Sequence, residues 1–274
     1  MLRAWQDVIV KWRLVPDDQP VDQPEARLHA DRGRSALVGG RLDEALGEFE
    51  AAAELRDNPL DRVGVGDVFL ARGGWRAAEE SYRAALPSGG LGALLAQVGL
   101  AQVKIGQGQA AGAVSDLELL VADRPADATL RYYLAGAWFS AAEQCRARTS
   151  DDVLVITSDA QLRICEDAGR RILTLRTGDT ELERGARQLL SEVAAGRRWT
   201  WSPEGIAVSL AVLVVALGLI TVVAGGLLDN VVLVFVGVVV GAVLLYAVVH
   251  RFRRQTWRRR AEELAPHIVR QGTG

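Results

Sequence analysis

The chain has 274 residues, a formal net charge of -2 and 24% charged side chains. That length predicts one or two domains, and the near-neutral balance excludes a disordered polyelectrolyte and argues against a generic nucleic-acid binder. Two cysteines, Cys145 and Cys165, exclude a disulfide scaffold and a four-cysteine zinc site, and the three histidines, His29, His250 and His267, lie far apart in the sequence.

Residues 1–24 form an N-terminal amphipathic segment and linker. Leu2, Trp5, Ile9 and Trp12 follow helical spacing, with Arg3, Lys11 and Arg13 between them. The spacing predicts a helix that packs on the solenoid or the membrane hairpin described below, with a place at the lipid interface as the alternative. Pro16, Pro20 and Pro24, with three aspartates among them, make the linker.

Residues 25–147 repeat. Gly33, Gly66 and Gly99 are 33 apart, and Ala45, Ala78 and Ala111 follow each by twelve. Phe49 and Tyr82 follow the first two alanines by four, and Ala52 and Ala85 by seven. Such a period is the mark of stacked supersecondary units. The small residues let two helices close tightly, and the aromatic fills the space between neighbouring hairpins. Gly39-Gly40, Gly73-Gly74 and Gly106-x-Gly108 fall where each first helix should stop.

This pattern resembles the tetratricopeptide repeat (TPR). Gly66, Phe69, Ala78, Tyr82 and Ala85 match it best, followed by Gly33, Ala36, Ala45, Phe49 and Ala52. The third copy, with Gly99 and Ala111, is degenerate and shifts register so that Leu117 packs. The fourth begins near Ala128 with Tyr132, Ala135, Gly136 and Phe139, and its second helix departs from the pattern. The resemblance implies an all-α solenoid of helical hairpins whose first helices line a concave, peptide-binding surface. Arg27, Arg34, Asp67, Gln97, Lys104 and Tyr133 are the candidate partner-binding residues carried over from it. Where chaperone-binding members hold a carboxylate clamp of Lys and Asn, this chain has Ala30, Arg34, Gly64, Ala93 and Gln97. The resemblance therefore implies a protein partner but not a chaperone tail.

Residues 148–198 predict additional capping helices. Ser150 is a candidate cap for a helix starting at Asp151-Asp152, with Leu154, Leu162, Cys165, Ile172 and Leu175 on its buried side; a short strand at Val153 to Ile156 is the alternative. Leu182, Ala186, Leu189, Leu190 and Val193 predict an amphipathic helix closing the solenoid, its outer face polar.

Residues 199–252 read as a transmembrane hairpin. Gly205 to Leu228 and Val231 to Val249 carry no charge, over 24 and 19 residues. A helix needs about 20 apolar residues to cross a bilayer. Trp199 and Trp201 before the first run, Arg251, Arg253 and Arg254 after the second, and Trp257 are candidate membrane-interface residues. Residues 253–274 are a basic tail. Residues 250–274 hold seven arginines and two glutamates, whereas residues 1–204 hold 25 basic and 31 acidic side chains. The positive-inside rule then predicts two spans in a bacterial inner membrane, with both termini and the repeats cytoplasmic. Gly237 and Gly241 form a G-x-x-x-G pair for close helix packing, within the hairpin or in a homo- or hetero-oligomer.

Little here predicts chemistry. Gly106-x-Gly108-x-x-x-Gly112 lacks the preceding strand of a dinucleotide site. No phosphate loop, H-E-x-x-H or C-x-x-C occurs. Asp151-Asp152 and Glu166-Asp167 read as a helix start and a solvated face. The sequence predicts no enzyme and no cofactor. It predicts a membrane-anchored TPR adaptor that recruits a protein partner to the cytoplasmic face. The alternative is an accessory or structural subunit of a membrane complex. A pore or transporter component is a weaker alternative, because no ionisable residue lies within either run.

Overall fold

Glycine sets the hairpins. The computed structural model describes residues 6–16, 23–201, 204–228 and 230–272. After a short turn of helix α1 (Gln6–Ile9), continued as a 3-10 turn at Val10–Leu14, come three helix pairs: α2 (Pro24–Val38) with α3 (Leu42–Leu55), α4 (Pro59–Ala71) with α5 (Trp75–Ala85), and α6 (Gly90–Gly106) with α7 (Ala110–Asp123). Each first helix ends at a glycine in the left-handed region: Gly40 at φ +73°, Gly73 at +75° and Gly108 at +83°. A side chain resists that conformation. It lets Gly40 N–H donate to Leu37 O and Arg41 N–H to Ala36 O, and the same bonds recur after α4 and α6. Asp43 and Glu44 fall in the first turn of α3, where negative charge suits the helix dipole. Asn58 caps α4, its side chain accepting from Leu60 N–H at 2.9 Å.

Small-against-large packing joins one hairpin to the next. Phe49 is 1% exposed and fills the gap between Gly33 of α2 and Gly64 of α4; a Cβ at Gly64 would collide with its ring at 2.4 Å, and one at Gly33 would press on it at 3.1 Å. Tyr82 is fully buried. A Cβ at Gly66 would lie 2.6 Å from its ring and one at Gly99 2.5 Å. Burying each ring stabilises the stack by about 1.5–3 kcal/mol, and two glycines per ring let the backbones close around it. The third pair has no such aromatic. Ala110, Ala113, Val114 and Leu117 are buried on α7, whereas Ala111 is exposed. The register shift expected of this copy thus places its small residues beside Ala111, not at it.

The structure divides into two compact units, residues 1–145 with 163–190, and residues 146–162 with 191–274. In the first, α8 (Ala128–Cys145) completes the repeats, and Ala135 packs against Ile172 of α9 (Asp159–Leu175) and Leu182 and Ala186 of α10 (Thr180–Gly196). The helix expected to start at Asp151 starts instead at Asp159. Ser150 donates its backbone N–H to His267 O, and Leu154 lies in a strand. Leu162, Cys165 and Ile172 are buried on α9 and Leu182, Ala186, Leu189 and Val193 on α10, as the amphipathic spacing requires. Asp179 caps α10, accepting from Glu181 N–H at 2.9 Å and Leu182 N–H at 2.8 Å.

The second unit is not purely helical. Strand β1 (Ala147–Thr149) pairs antiparallel with β2 (Leu154–Val155) and with β5 (Ile268–Arg270). Strand β3 (Trp199–Trp201) pairs with β4 (Arg253–Gln255). Helices α11 (Glu204–Leu227) and α12 (Val231–Phe252) connect β3 to β4, and α13 (Thr256–Leu264) lies between β4 and β5. The basic tail is therefore folded: its last strand completes a sheet begun more than a hundred residues earlier.

Candidate functional site

The first helices of the repeats, α2, α4, α6 and α8, share an inner face, and the chain's own N-terminal segment occupies it. Val8, Lys11 and Trp12 are three and four apart, so the short helical turn points all three the same way. Val8 is 2% exposed and Lys11 is completely buried. Burying an ammonium group is costly unless it is paired and hydrogen-bonded. The pairing comes from Asp67 of α4, which is also completely buried.

The Asp67 carboxylate meets three donors. Its Oδ1 lies 2.5 Å from Lys11 Nζ and accepts from Tyr82 OH at 2.6 Å. Its Oδ2 accepts from Trp12 Nε1 at 2.7 Å. Lys11 Nζ also donates to Tyr82 OH at 3.2 Å and lies 4.5 Å from the centre of that ring. Burial pushes the Lys11 ammonium down and the Asp67 carboxyl up from their ordinary pKa values, and each partner's charge opposes that drift. Burial, reinforced by the Asp67 charge, raises the Tyr82 and Tyr133 phenols well above theirs.

A second set of contacts holds the segment's backbone. Tyr133 OH donates to Asp7 O at 2.6 Å and accepts from Lys11 N–H at 2.8 Å. Gln102 Nε2 donates to Asp7 O at 3.1 Å, and Tyr132 OH donates to the Asp7 carboxylate at 2.5 Å. Trp12 stacks on Phe49, ring centres 6.2 Å apart at 9°, and the Arg34 guanidinium lies 5.5 Å from the Trp12 ring. Beside Trp12 opens a cleft of about 250 Å³ bordered by Arg27, Asp31, Arg34, Arg56 and Asp61.

The structure brings some of the candidate partner residues together and leaves others apart. Asp67, Tyr133 and Arg34 touch the segment, and Arg27 lines the adjacent cleft. Gln97 is exposed, and Lys104 pairs with Asp116 of α7 at 2.5 Å. On α6 Gln102 hydrogen-bonds to the segment. Trp12 had a visible signal, the amphipathic spacing of the segment, but that spacing set Lys11 on the polar side, and Lys11 is instead buried. Gln102 had none, since a single amide in a helix marks nothing by itself.

These shifted ionisable groups form no catalytic arrangement. They are consumed by one another and closed off from water. Among the described residues, no three His, Cys, Asp or Glu side chains are grouped to hold a metal ion. Cys145 and Cys165 are buried, their sulfurs 3.8 Å apart.

The other conspicuous feature is apolar surface. Val208–Leu227 is long and apolar enough to cross a membrane, with a mean hydropathy of 2.7, and is almost wholly unburied; Val234–Val248 is a shorter apolar stretch of α12. The two helices pack on each other through glycine: a Cβ on Gly241 would lie 3.7 Å from Gly218 Cα, and one on Gly237 3.1 Å from Thr221 Cβ. At the hairpin's base Trp199 pairs with Gln255, Thr200 with Arg254 and Trp201 with Arg253. Trp199 is about half exposed, and Trp257 donates from Nε1 to Gln255 at 2.7 Å with Arg258 over its ring. The side chains of Trp201, Arg251, Arg253 and Arg254 lie outside the described residues.

No protein-family model and no curated protein matches the sequence. Among solved structures the chain is similar to MamA, residues 41 to the end, from Desulfovibrio magneticus RS-1. The identity is 19% over 63% of this chain and 94% of that one, with a TM-score of 0.43. The MamA RS-1 ArsTM double mutant is similar at 19% identity over the same shares, with a TM-score of 0.42. Likeness this distant carries no function, and the functional reading rests on the geometry of the groove and of the apolar hairpin.

Proposed function

We propose that this chain is an accessory or structural subunit of a membrane complex, in which the hairpin α11–α12 is the main interface and the TPR-like repeats form a cytoplasmic cap. The observation that carries this reading over recruitment through an open groove is that the groove is closed. Asp67 and Tyr133, two of the residues an adaptor would offer to a partner, are engaged by residues 7–12 of the same chain. What stays open is the hairpin. Ile220, Leu227, Val231 and Phe235 are each more than 60% exposed, and apolar surface continues along both helices. A monomer in water rarely exposes more than a few hundred Å² of contiguous apolar surface. A bilayer, or a neighbouring membrane helix within it, removes that cost.

The flanks support two spans with both ends in the cytoplasm of a bacterium. Tryptophans and arginines cluster at the β3–β4 end, and the opposite end carries only Asp229-Asn230. No charged residue lies within either apolar run, which disfavours an ion or proton pathway.

Replacing α11–α12 by an unrelated two-span anchor tests the reading. Native electrophoresis of mild-detergent extracts should show the swapped chain leaving its complex, while Asp67→Ala in the groove leaves complex membership intact. An adaptor gives the reverse result: the swapped chain keeps its partner and the groove variant loses it.

A further inference from the structure

The groove contacts divide into two classes, and the division is that of a peptide-recognition site. Tyr133 and Gln102 bind the main chain of the segment at Asp7 O and Lys11 N–H, groups that any peptide offers. Asp67 and Tyr82 read one side chain, Lys11, and Asp67 together with Phe49 reads the next, Trp12. Main-chain bonds give hold and side-chain pockets give selectivity. The buried charge also argues against a permanent plug. Well-packed apolar side chains do as well as, or better than, a buried ion pair where only stability is needed, whereas a buried charge on the receptor rejects segments that lack its counter-charge. The segment itself holds only one α-helical and one 3-10 turn, and it joins α2 through the Pro- and Asp-rich residues 16–23. Its own fold contributes little to keeping it in place.

We propose that residues 7–12 are a displaceable occupant of the groove. The natural competitor is a segment of a partner protein in which a basic residue immediately precedes a tryptophan, with an apolar residue three positions before the basic one. The basic side chain takes the place of Lys11 on Asp67, the tryptophan that of Trp12 on Phe49, and the apolar residue that of Val8. Tethering gives the cis segment an effective concentration of order mM, so a partner engages only when it is brought close or when the segment is drawn away. The inference concerns the groove alone and stands whether or not the hairpin is the main membrane interface.

The test uses the full chain in detergent micelles with a specific protease site placed in residues 17–22. After cleavage, a fluorescent peptide of residues 6–16 is added in excess, and anisotropy and far-UV circular dichroism are followed together. The peptide should enter the cut chain and bind the uncut chain at least tenfold more weakly. A peptide carrying Lys11→Ala, or a cut chain carrying Asp67→Asn, should each lose at least tenfold in affinity. Helicity should be retained throughout. Failure of the peptide to enter a cut chain that stays helical overturns the proposal. So does loss of helicity as the cut segment leaves, because the segment is then permanent core. Equal binding of the Lys11→Ala peptide removes the basic–aromatic specificity. If the uncut chain forms concentration-dependent oligomers that Lys11→Glu abolishes, the competitor is a second copy and the partner-segment claim fails.

Discussion

Lys11 and Asp67 form an ion pair of 2.5 Å between side chains that are both closed off from solvent, one from a single helical turn near the N-terminus and the other from the first helix of the second repeat. The pair fixes the segment's register. Sliding the segment by one residue would take the ammonium group off Asp67 and leave two buried charges apart, at a cost of several kcal/mol per ion.

The stability of the first unit should follow from that coupling. Asp67→Ala leaves the Lys11 ammonium, the Trp12 N–H and the Tyr82 hydroxyl without their common acceptor and should cost about 3–5 kcal/mol. Lys11→Met leaves the buried Asp67 carboxylate without its counter-charge and should cost a similar amount, about 3–5 kcal/mol. The double variant should fall short of the sum by about 0.5–3 kcal/mol, as expected of residues in one network. Urea unfolding of the detergent-solubilised chain, followed by circular dichroism, measures all three. Strict additivity would mean that the two residues do not meet.

Glycine substitutions should change stability with opposite signs at two kinds of position. A Cβ at Gly99 would lie 2.5 Å from the Tyr82 ring, whereas at Gly47, in the exposed interior of α3, nothing lies within 4 Å. Gly99→Ala should therefore destabilise by about 1–3 kcal/mol through overpacking, and Gly47→Ala should stabilise by about 0.5–1 kcal/mol through helix propensity. Tyr82→Ala should cost about 3–5 kcal/mol. Tyr82→Phe, which loses the hydroxyl's bonds to Asp67 and Lys11, should cost about 1–3 kcal/mol for the buried groups left short of a partner. The same unfolding experiment ranks them.

Those glycines and aromatics were legible in the sequence because the packing that needs them repeats every 33 residues. Gly33 with Phe49 and Gly66 with Tyr82 are local pairs that recur, and a period exposes them. The inward placement of Asp67 and Tyr133 followed from the TPR resemblance alone. That the segment fills the groove did not follow, because it depends on a pairing between residues 11 and 67 that no local pattern records. That Gln102 and not the exposed Gln97 bonds to the segment was hidden for a related reason. Gly99 marks where α6 packs on Tyr82, but no repeat position marks which of its polar residues turns inward, and Gln102 does. Strands β1 and β5 are three residues each and are paired across the whole second unit. Nothing in Ala147–Thr149 or Ile268–Arg270 alternates long enough to announce a strand.

The α11–α12 contact predicts that glycine there works within the hairpin. Gly218 and Gly241 approach so closely that a Cβ on Gly241 would be 3.7 Å from Gly218 Cα. Gly241→Leu should push the helices apart, and Gly218→Leu should do the same from the other side. A control, Gly226→Leu, has open space around it and should change nothing measurable. Cysteines placed at positions 218 and 241 should cross-link within one chain. Cross-linking only between chains would assign the glycines to an oligomer interface.

The proposed two-span topology predicts which residues a membrane-impermeant reagent can reach. The apolar stretch of α11, Val208–Leu227, is long enough to span a bilayer of roughly 30 Å, whereas that of α12, Val234–Val248, is shorter. Their connection is Leu228 to Asn230, and Asn230 N–H closes the turn by donating to Gly225 O at 2.9 Å. A turn this short, without lysine or arginine, is cheap to translocate. The opposite end is not, with Arg197 and Arg198 before the first helix and six arginines between residues 251 and 260. Cys145 and Cys165 are buried and would react slowly, so replacing both by alanine should give a clean background. In intact cells a reagent applied from outside should label Asn230→Cys and leave Asn58→Cys and Gly272→Cys untouched until the membrane is permeabilised. Labelling of position 58 or 272 from outside would invert the topology and remove the cytoplasmic cap from the proposed function. Labelling of position 230 only after permeabilisation would mean that the hairpin dips into the bilayer without crossing it, and the repeats would then belong to a protein resting on one leaflet.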